Sequence, residues 1–228
     1  MTASPYPPPP KATLFYQFCA VLVRCVGTGY FQWTILHQDR IPLTGPVIFA
    51  ANHVSFGDPP LIGGAIPRPI NYLARESLFQ PPWFAKLIRS LNAIPLDRDR
   101  GGPAGMRTVL SVLAQGRALL LFPEGTRSTD GSLGGAKSGT GLTVIRSGAP
   151  VIPVRIFGLH EIWGRKRRFP MPGRIIIKFG EPLRFEKERT EAETASRART
   201  KAIYESVTEQ VMDGIARMQP SRDITRFG

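Results

Sequence analysis

The 228 residues are enough for one α/β domain with short appendages rather than two full domains. At 42% hydrophobic and 21% charged residues the chain can bury a sizeable core, which excludes a wholly disordered protein. Thirty Lys and Arg against 17 Asp and Glu give a formal net charge of +13, a field that suits nucleic acid, anionic lipid headgroups or acidic carrier proteins. Composition alone does not choose among these, or between them and simple solubility.

Residues 1–11 hold four consecutive prolines and read as an extended, disordered Pro-rich tail. No secretory signal is evident, because the apolar stretch Ala12–Leu36 follows this tract instead of a basic n-region. Within it Leu14, Phe15, Phe18, Val21, Leu22 and Val26 recur at helical spacing. Arg24, Gly27, Thr28, Gly29 and Gln32 dilute the run too much for a clear bilayer crossing. Tyr30, Phe31 and Trp33 suit a membrane interface. Residues 12–40 are therefore expected to form a helical anchor that lies on or dips into one leaflet, the alternative being an ordinary core helix. Cys19 and Cys25 are six residues apart, roughly 9 Å along a helix and beyond disulfide reach, so both read as reduced thiols.

The apolar run Val47–Ala51 has strand length, and Asp58-Pro59-Pro60 marks a helix start with Asp58 as its N-cap. Ile70–Ala74 is a second strand, Trp83–Leu91 a helix and Ala93–Leu96 a short extended run. Met106, Val109, Leu110 and Leu113 form a helical stripe that stops at Gly116, and Ala118–Phe122 is a strand buried on both faces. A helix over Thr140–Arg146 ends at Gly148, and Val151–Phe157 and Arg174–Phe179 are the last strands. Thr190 with Glu193 has the spacing of a capping box and is expected to open the final helix, with Ile203, Val207, Val211, Ile215 and Met218 on its buried stripe. Strands alternating with helices imply an α/β fold. Its central sheet, mostly parallel or mixed, is flanked by helices, with sites at the strand C-terminal ends.

Two such ends carry chemistry. Asn52-His53-Val54-Ser55-Phe56-Gly57-Asp58 lies where a strand gives way to a helix. A carboxylate five residues after a histidine can fix its tautomer and stabilise the imidazolium, leaving the other ring nitrogen to take a proton from a hydroxyl. The bland alternative is that Asp58 only caps the helix and His53 is a buried turn residue. Phe122-Pro123-Glu124-Gly125-Thr126-Arg127-Ser128 directly follows the buried strand. Its rigid turn holds Arg127, whose planar fork matches a phosphate, and Glu124, which suits a hydroxyl or a grip on that arginine. Asp97-Arg98-Asp99-Arg100 reads as a solvated loop, unless Arg98 joins Arg127 in clamping one phosphate.

Taken together these groups resemble the 1-acylglycerol-3-phosphate acyltransferases and related glycerolipid acyltransferases. The N-H-x-S-x-x-D block is matched by Asn52, His53, Ser55 and Asp58, and the F-P-E-G-T-R-S block by residues 122–128. Weaker matches are Ala93–Arg98, Lys137-Ser138-Gly139 and Val151–Val154, all in family order. Asn92 and Ala136 depart from the pattern, where a Gly and an aromatic are common. The resemblance implies His53 as general base and Asp58 as its orienting partner. Arg98, Glu124, Gly125, Thr126, Arg127 and Lys137 should bind the acceptor. No metal or bound cofactor is implied.

It further implies direct transfer of a fatty acyl group from acyl-CoA or an acyl carrier protein to 1-acylglycerol 3-phosphate. The expected partners are membrane lipids, a lysophosphatidic acid-type acceptor and the thioester donor, at the cytoplasmic face of the inner membrane. On this reading 41–218 is the acyltransferase domain and 219–228 a C-terminal tail. Competing readings are a different lyso-lipid acceptor, such as a lyso-aminolipid, and a non-enzymatic basic protein binding membranes or RNA through Arg165–Arg168. No G-x-S-x-G elbow supports a serine hydrolase, and Gly131–Ser138 misses the phosphate-loop pattern at Ala136. No RNA-binding fingerprint is present.

Overall fold

The computed structural model of the protein describes residues 12–96 and 103–220. The strands are β1 Thr34–Leu36, β2 Val47–Ala51, β3 Ile70–Arg75, β4 Ala93–Leu96, β5 Ala118–Leu121, β6 Val151–Phe157 and β7 Ile176–Phe179. They form one sheet in the order β1-β7-β6-β2-β5-β3-β4, parallel throughout except for the antiparallel pair β6–β7. The helices are α1 Leu14–Gly29, α2 Asp58–Ala65, α3 Pro82–Ser90, α4 Pro103–Ala114, α5 Gly139–Ser147, α6 Leu159–Trp163, α7 Glu186–Thr194 and α8 Arg197–Ala216.

The sheet separates two cores. Val47, Phe49 and Ala51 of β2 join Leu61 and Ile62 of α2 and Leu159 of α6 on one face. Ile48 and Ala50 join Val109 of α4, Val144 of α5 and Val207 of α8 on the other. Covering both faces requires every residue of β2 to be apolar, and all five are fully buried. β2 and β5 are neighbours whose following helices lie on opposite faces, α2 on one and α5 on the other. Diverging connections open a crevice at the carboxyl ends of the two strands, the usual place for a site in such sheets.

α1 is docked on α2 by small residues and one charge. Val23 lies against Gly64, and Trp33 fills the space beside Gly27. The Tyr16 hydroxyl accepts from Ile70 N at 3.2 Å, and burial pushes its pKa up. Arg24, which interrupts the apolar run in sequence, donates to Gly64 O at 2.9 Å near the C-terminus of α2. The opposite side of α1 exposes Leu14, Phe15, Phe18, Val21, Leu22 and Val26.

Several expectations need correction. The anchor segment does not run to residue 40 as a helix, because α1 stops at Gly29 and β1 pairs in parallel with β7. Phe31 is 2% exposed in the core and Trp33 packs against that core, so neither is available to a membrane interface. Thr190 opens no helix: it sits inside α7, and its hydroxyl donates to Glu186 O at 3.0 Å. The long helix α8 starts at Ser196, whose hydroxyl accepts from Arg199 N at 3.3 Å. Gly57 rather than Asp58 occupies the N-cap of α2, which frees the Asp58 carboxylate for another task.

Candidate active site

The end of β2 is pinned before its turn begins. The Asn52 side chain donates to Ile156 O at 3.1 Å and accepts from Ile156 N at 2.8 Å, tying β2 to β6. Beyond it the chain curls so that one oxygen of Asp58 gathers three donors. Oδ2 lies 2.7 Å from His53 Nδ1 and accepts from Val54 N at 2.7 Å and Ser55 N at 2.8 Å. Gly57 N donates to Ser55 Oγ at 3.0 Å, and Ser55 is fully buried, a turn residue rather than a nucleophile. A Cβ on Gly57 would lie 2.6 Å from the Trp163 ring, so only glycine lets α6 pack on this turn.

Asp58 is fully buried while the His53 side chain keeps 13% exposure. With the carboxylate as acceptor, His53 donates from Nδ1 and its Nε2 carries the free lone pair. The ring stacks on Phe122 with centroids 4.0 Å apart. The turn after β5 grips the histidine from both sides of its backbone. His53 N donates to Glu124 Oε1 at 2.8 Å, and Ser128 N donates to His53 O at 2.7 Å. Glu124 Oε2 accepts from Gly134 N at 2.9 Å. Both oxygens of this 5% exposed carboxylate are thus held by backbone amides. Glu124 braces the site; no contact with Arg127 or opening toward a hydroxyl matches the sequence expectation.

Gly125 takes φ +68°, and its open side receives the Lys137 side chain, whose carbons would lie 2.9 Å from a Cβ there. Lys137 N donates to Pro123 O at 2.9 Å, which closes the loop onto the turn. Farther along that loop Asp130 accepts from the Ser132 hydroxyl and amide and from the Ser128 hydroxyl. These bonds lower its pKa to about 2. Arg127 stacks its guanidinium 3.5 Å over the Phe56 ring, a contact that joins the two turns. Burial lowers the Arg127 pKa first, followed by repulsion from Arg165, with Asp58 offsetting part of this and Arg75 adding to it. Arg127 stays charged regardless.

The structure therefore brings His53, Asp58, Glu124, Gly125, Thr126, Arg127 and Lys137 to one edge of the sheet. Thr126 is exposed there. Arg98 and the rest of Asp97–Arg100 lie outside the described residues. Arg75 was not anticipated at this site, and Arg165 was singled out in the sequence only as part of the basic patch Arg165–Arg168. Arg75 ends β3, two strands from β2, and the strand-end rule was the one signal that pointed to it. The departure at Asn92 proves mild: Asn92 adopts φ +65°, a left-handed turn that asparagine tolerates well, between α3 and β4.

The sequence model of the Acyltransferase family matches residues 33–157. The 1-acyl-sn-glycerol-3-phosphate acyltransferase of Bacillus subtilis (strain 168) is 26% identical over 200 residues, covering 87% of this chain and 96% of the relative. An enzyme of the same description from Chlamydomonas reinhardtii is 26% identical over 213 residues, covering 91% of this chain and 63% of its own. The crystal structure of the 1-acyl-sn-glycerophosphate (LPA) acyltransferase PlsC from Thermotoga maritima superimposes with a TM-score of 0.69. The pair is 25% identical, over 90% of this chain and 81% of that one.

Proposed function

The chain belongs to the acyltransferase family and is an acyl-transferring enzyme; from that premise we propose that it acylates the free hydroxyl of 1-acylglycerol 3-phosphate. The observation that carries the chemistry is the 2.7 Å His53 Nδ1–Asp58 Oδ2 contact, which leaves Nε2 as an acceptor. On this reading Nε2 takes the hydroxyl proton as the acceptor oxygen attacks the thioester carbonyl. Asp58 stabilises the imidazolium that results. The tetrahedral intermediate collapses, the C–S bond breaks, and His53 returns the proton to the departing thiolate. The products are phosphatidic acid and a free thiol. The thioester brings its own activation, so no bound cofactor is needed.

The acceptor is assigned from charge. Arg127 sits at the same edge as His53, within the field of Arg75 and Arg165. A dianionic phosphate relieves their mutual repulsion, and Arg127 offers it a bidentate fork. The names of the bacterial relatives support the same acceptor. The donor is an acyl thioester of coenzyme A or of an acyl carrier protein, both soluble in the cytoplasm.

The workplace is a membrane surface. On a water-facing helix the exposed side is polar, whereas α1 exposes its apolar stripe and buries only Gly27. No helix among the described residues is long and apolar enough to cross a bilayer. The exposed stripe supports a helix lying in one leaflet, and on this reading the cytoplasmic side follows from the thioester donors, which reside there. The test offers detergent-bound protein a thioester donor with lysophosphatidic acid and, in parallel, a phosphate-free lyso-lipid. Preference for lysophosphatidic acid is expected. Transfer only to the phosphate-free lipid would move the enzyme to another acceptor class.

A further inference from the structure

We propose that the loop 164–173 is a second membrane contact, in which Lys166, Arg167 and Arg168 hold anionic lipid headgroups while Phe169 inserts beside them. The proposal rests on the membrane-surface reading above and adds where anionic lipid is recognised. Arg165–Arg168 are four consecutive cations, and residues 164–173 contain no Asp or Glu. Among the described residues none of the four makes an ion pair with a carboxylate. Phe169 is 72% and Met171 43% exposed, and the Arg168 guanidinium lies 5.5 Å from the Phe169 ring centroid. An exposed aromatic among unpaired cations suits an interface that is apolar inside and anionic at its surface.

Position selects the bilayer over an acidic protein as the occupant. The loop is fastened to the end of α1: the Tyr30 hydroxyl donates to Pro170 O at 3.1 Å, and Gly173 N lies 3.5 Å from Tyr30 O. Its other attachment is Met171 N to Ile162 O of α6 at 3.0 Å. Tyr30 follows Val26 by one helical turn on the exposed apolar stripe of α1, so stripe and loop are continuous. An apolar face of this size gives only reversible adsorption by itself, and a polybasic patch is the usual second signal for stable attachment. Trp163, one residue before the loop's Gly164, packs on Gly57 of the catalytic turn. Seating the loop on the membrane therefore also sets the active-site edge near the headgroups, where the acceptor resides.

The experiment uses the full chain with vesicles of phosphatidylcholine alone or with about one-third phosphatidylglycerol. It compares wild type with the triple variant K166Q/R167Q/R168Q and with Phe169→Ser. Wild type should prefer the anionic vesicles strongly at low salt. The triple variant should bind them about a hundredfold more weakly, the usual effect of three cations at an anionic surface, and lose most of the salt dependence. Phe169→Ser should weaken binding to both vesicle types. Transfer in detergent micelles should be unchanged in all variants, which separates this proposal from the activity itself. Wild-type-like vesicle binding by the triple variant overturns the proposal. So does normal vesicle binding coupled to a selective loss of transfer from an acyl carrier protein, which would make the loop a carrier dock.

Discussion

His53 is held through its side chain by Asp58 and through its backbone by Glu124 and Ser128. The two motifs, 71 residues apart in the Glu124 contact, are one mechanical unit. Asp58→Asn should lower the rate by about a thousandfold or more, because the amide cannot favour the tautomer that leaves Nε2 unprotonated. Single-turnover transfer measures this, and a variant within a few-fold of wild type would remove the dyad from the reaction. Glu124→Ala should remove the acceptor of two part-buried amides, costing about 1 kcal/mol of stability and a large part of kcat. A raised KM for the acceptor alone, with kcat and stability intact, would instead make Glu124 a substrate ligand. Arg127→Ala should raise KM for the acceptor more than for the donor; equal effects on both would argue against a phosphate role.

At the scale of elements, turns and connections carry most of the specification. Arg68, 6% exposed, donates to Pro42 O and Gly45 O at 2.9 Å and to Gly116 O at 3.0 Å. It ties the approach to β2 and the end of α4 to the segment leading into β3. Arg68→Ala should destabilise the fold by about 3 kcal/mol, one lost charge-assisted bond at a time, and denaturant unfolding would reveal it. A change below about 1 kcal/mol would mean that water replaces the guanidinium at little cost. β2, β5 and β6 were legible in the sequence because buried central strands leave uninterrupted apolar runs. β1 was not, since Thr34–Leu36 is too short for a period and adjoins an aromatic run with the look of an interface. The start of α8 was misplaced because Thr190 and Glu193 have capping-box spacing, while α7 buries no residue and so offers no stripe to contradict it. His53, Asp58 and Arg127 announced themselves through local motifs. The bracing role of Glu124 depends on Gly134 folding back from farther along its own loop and on His53 N arriving from the β2 turn, and Arg75 is a charge at a strand end with no local pattern, so both required the fold.

For the whole molecule, the proposed function asks the acyltransferase domain to work at a membrane surface. α1 offers an apolar stripe, and the turns after β2 and β5 offer the His53–Asp58 pair and the Arg127 cation stacked on Phe56. On the proposed reading, a lipid acceptor presents its hydroxyl to His53 and its phosphate to Arg127 without leaving the bilayer. Phe18→Glu with Leu22→Glu should abolish vesicle binding while sparing transfer in micelles, and unaltered sedimentation with vesicles would exclude α1 as the anchor. The central claim is that His53 takes the acceptor's proton during acyl transfer to lysophosphatidic acid. Its most direct test is single-turnover transfer from a thioester donor to lysophosphatidic acid in micelles by wild type and by His53→Ala, both shown to be folded. A loss of about a hundredfold or more is predicted for the variant. Transfer by His53→Ala within a few-fold of wild type would contradict the account.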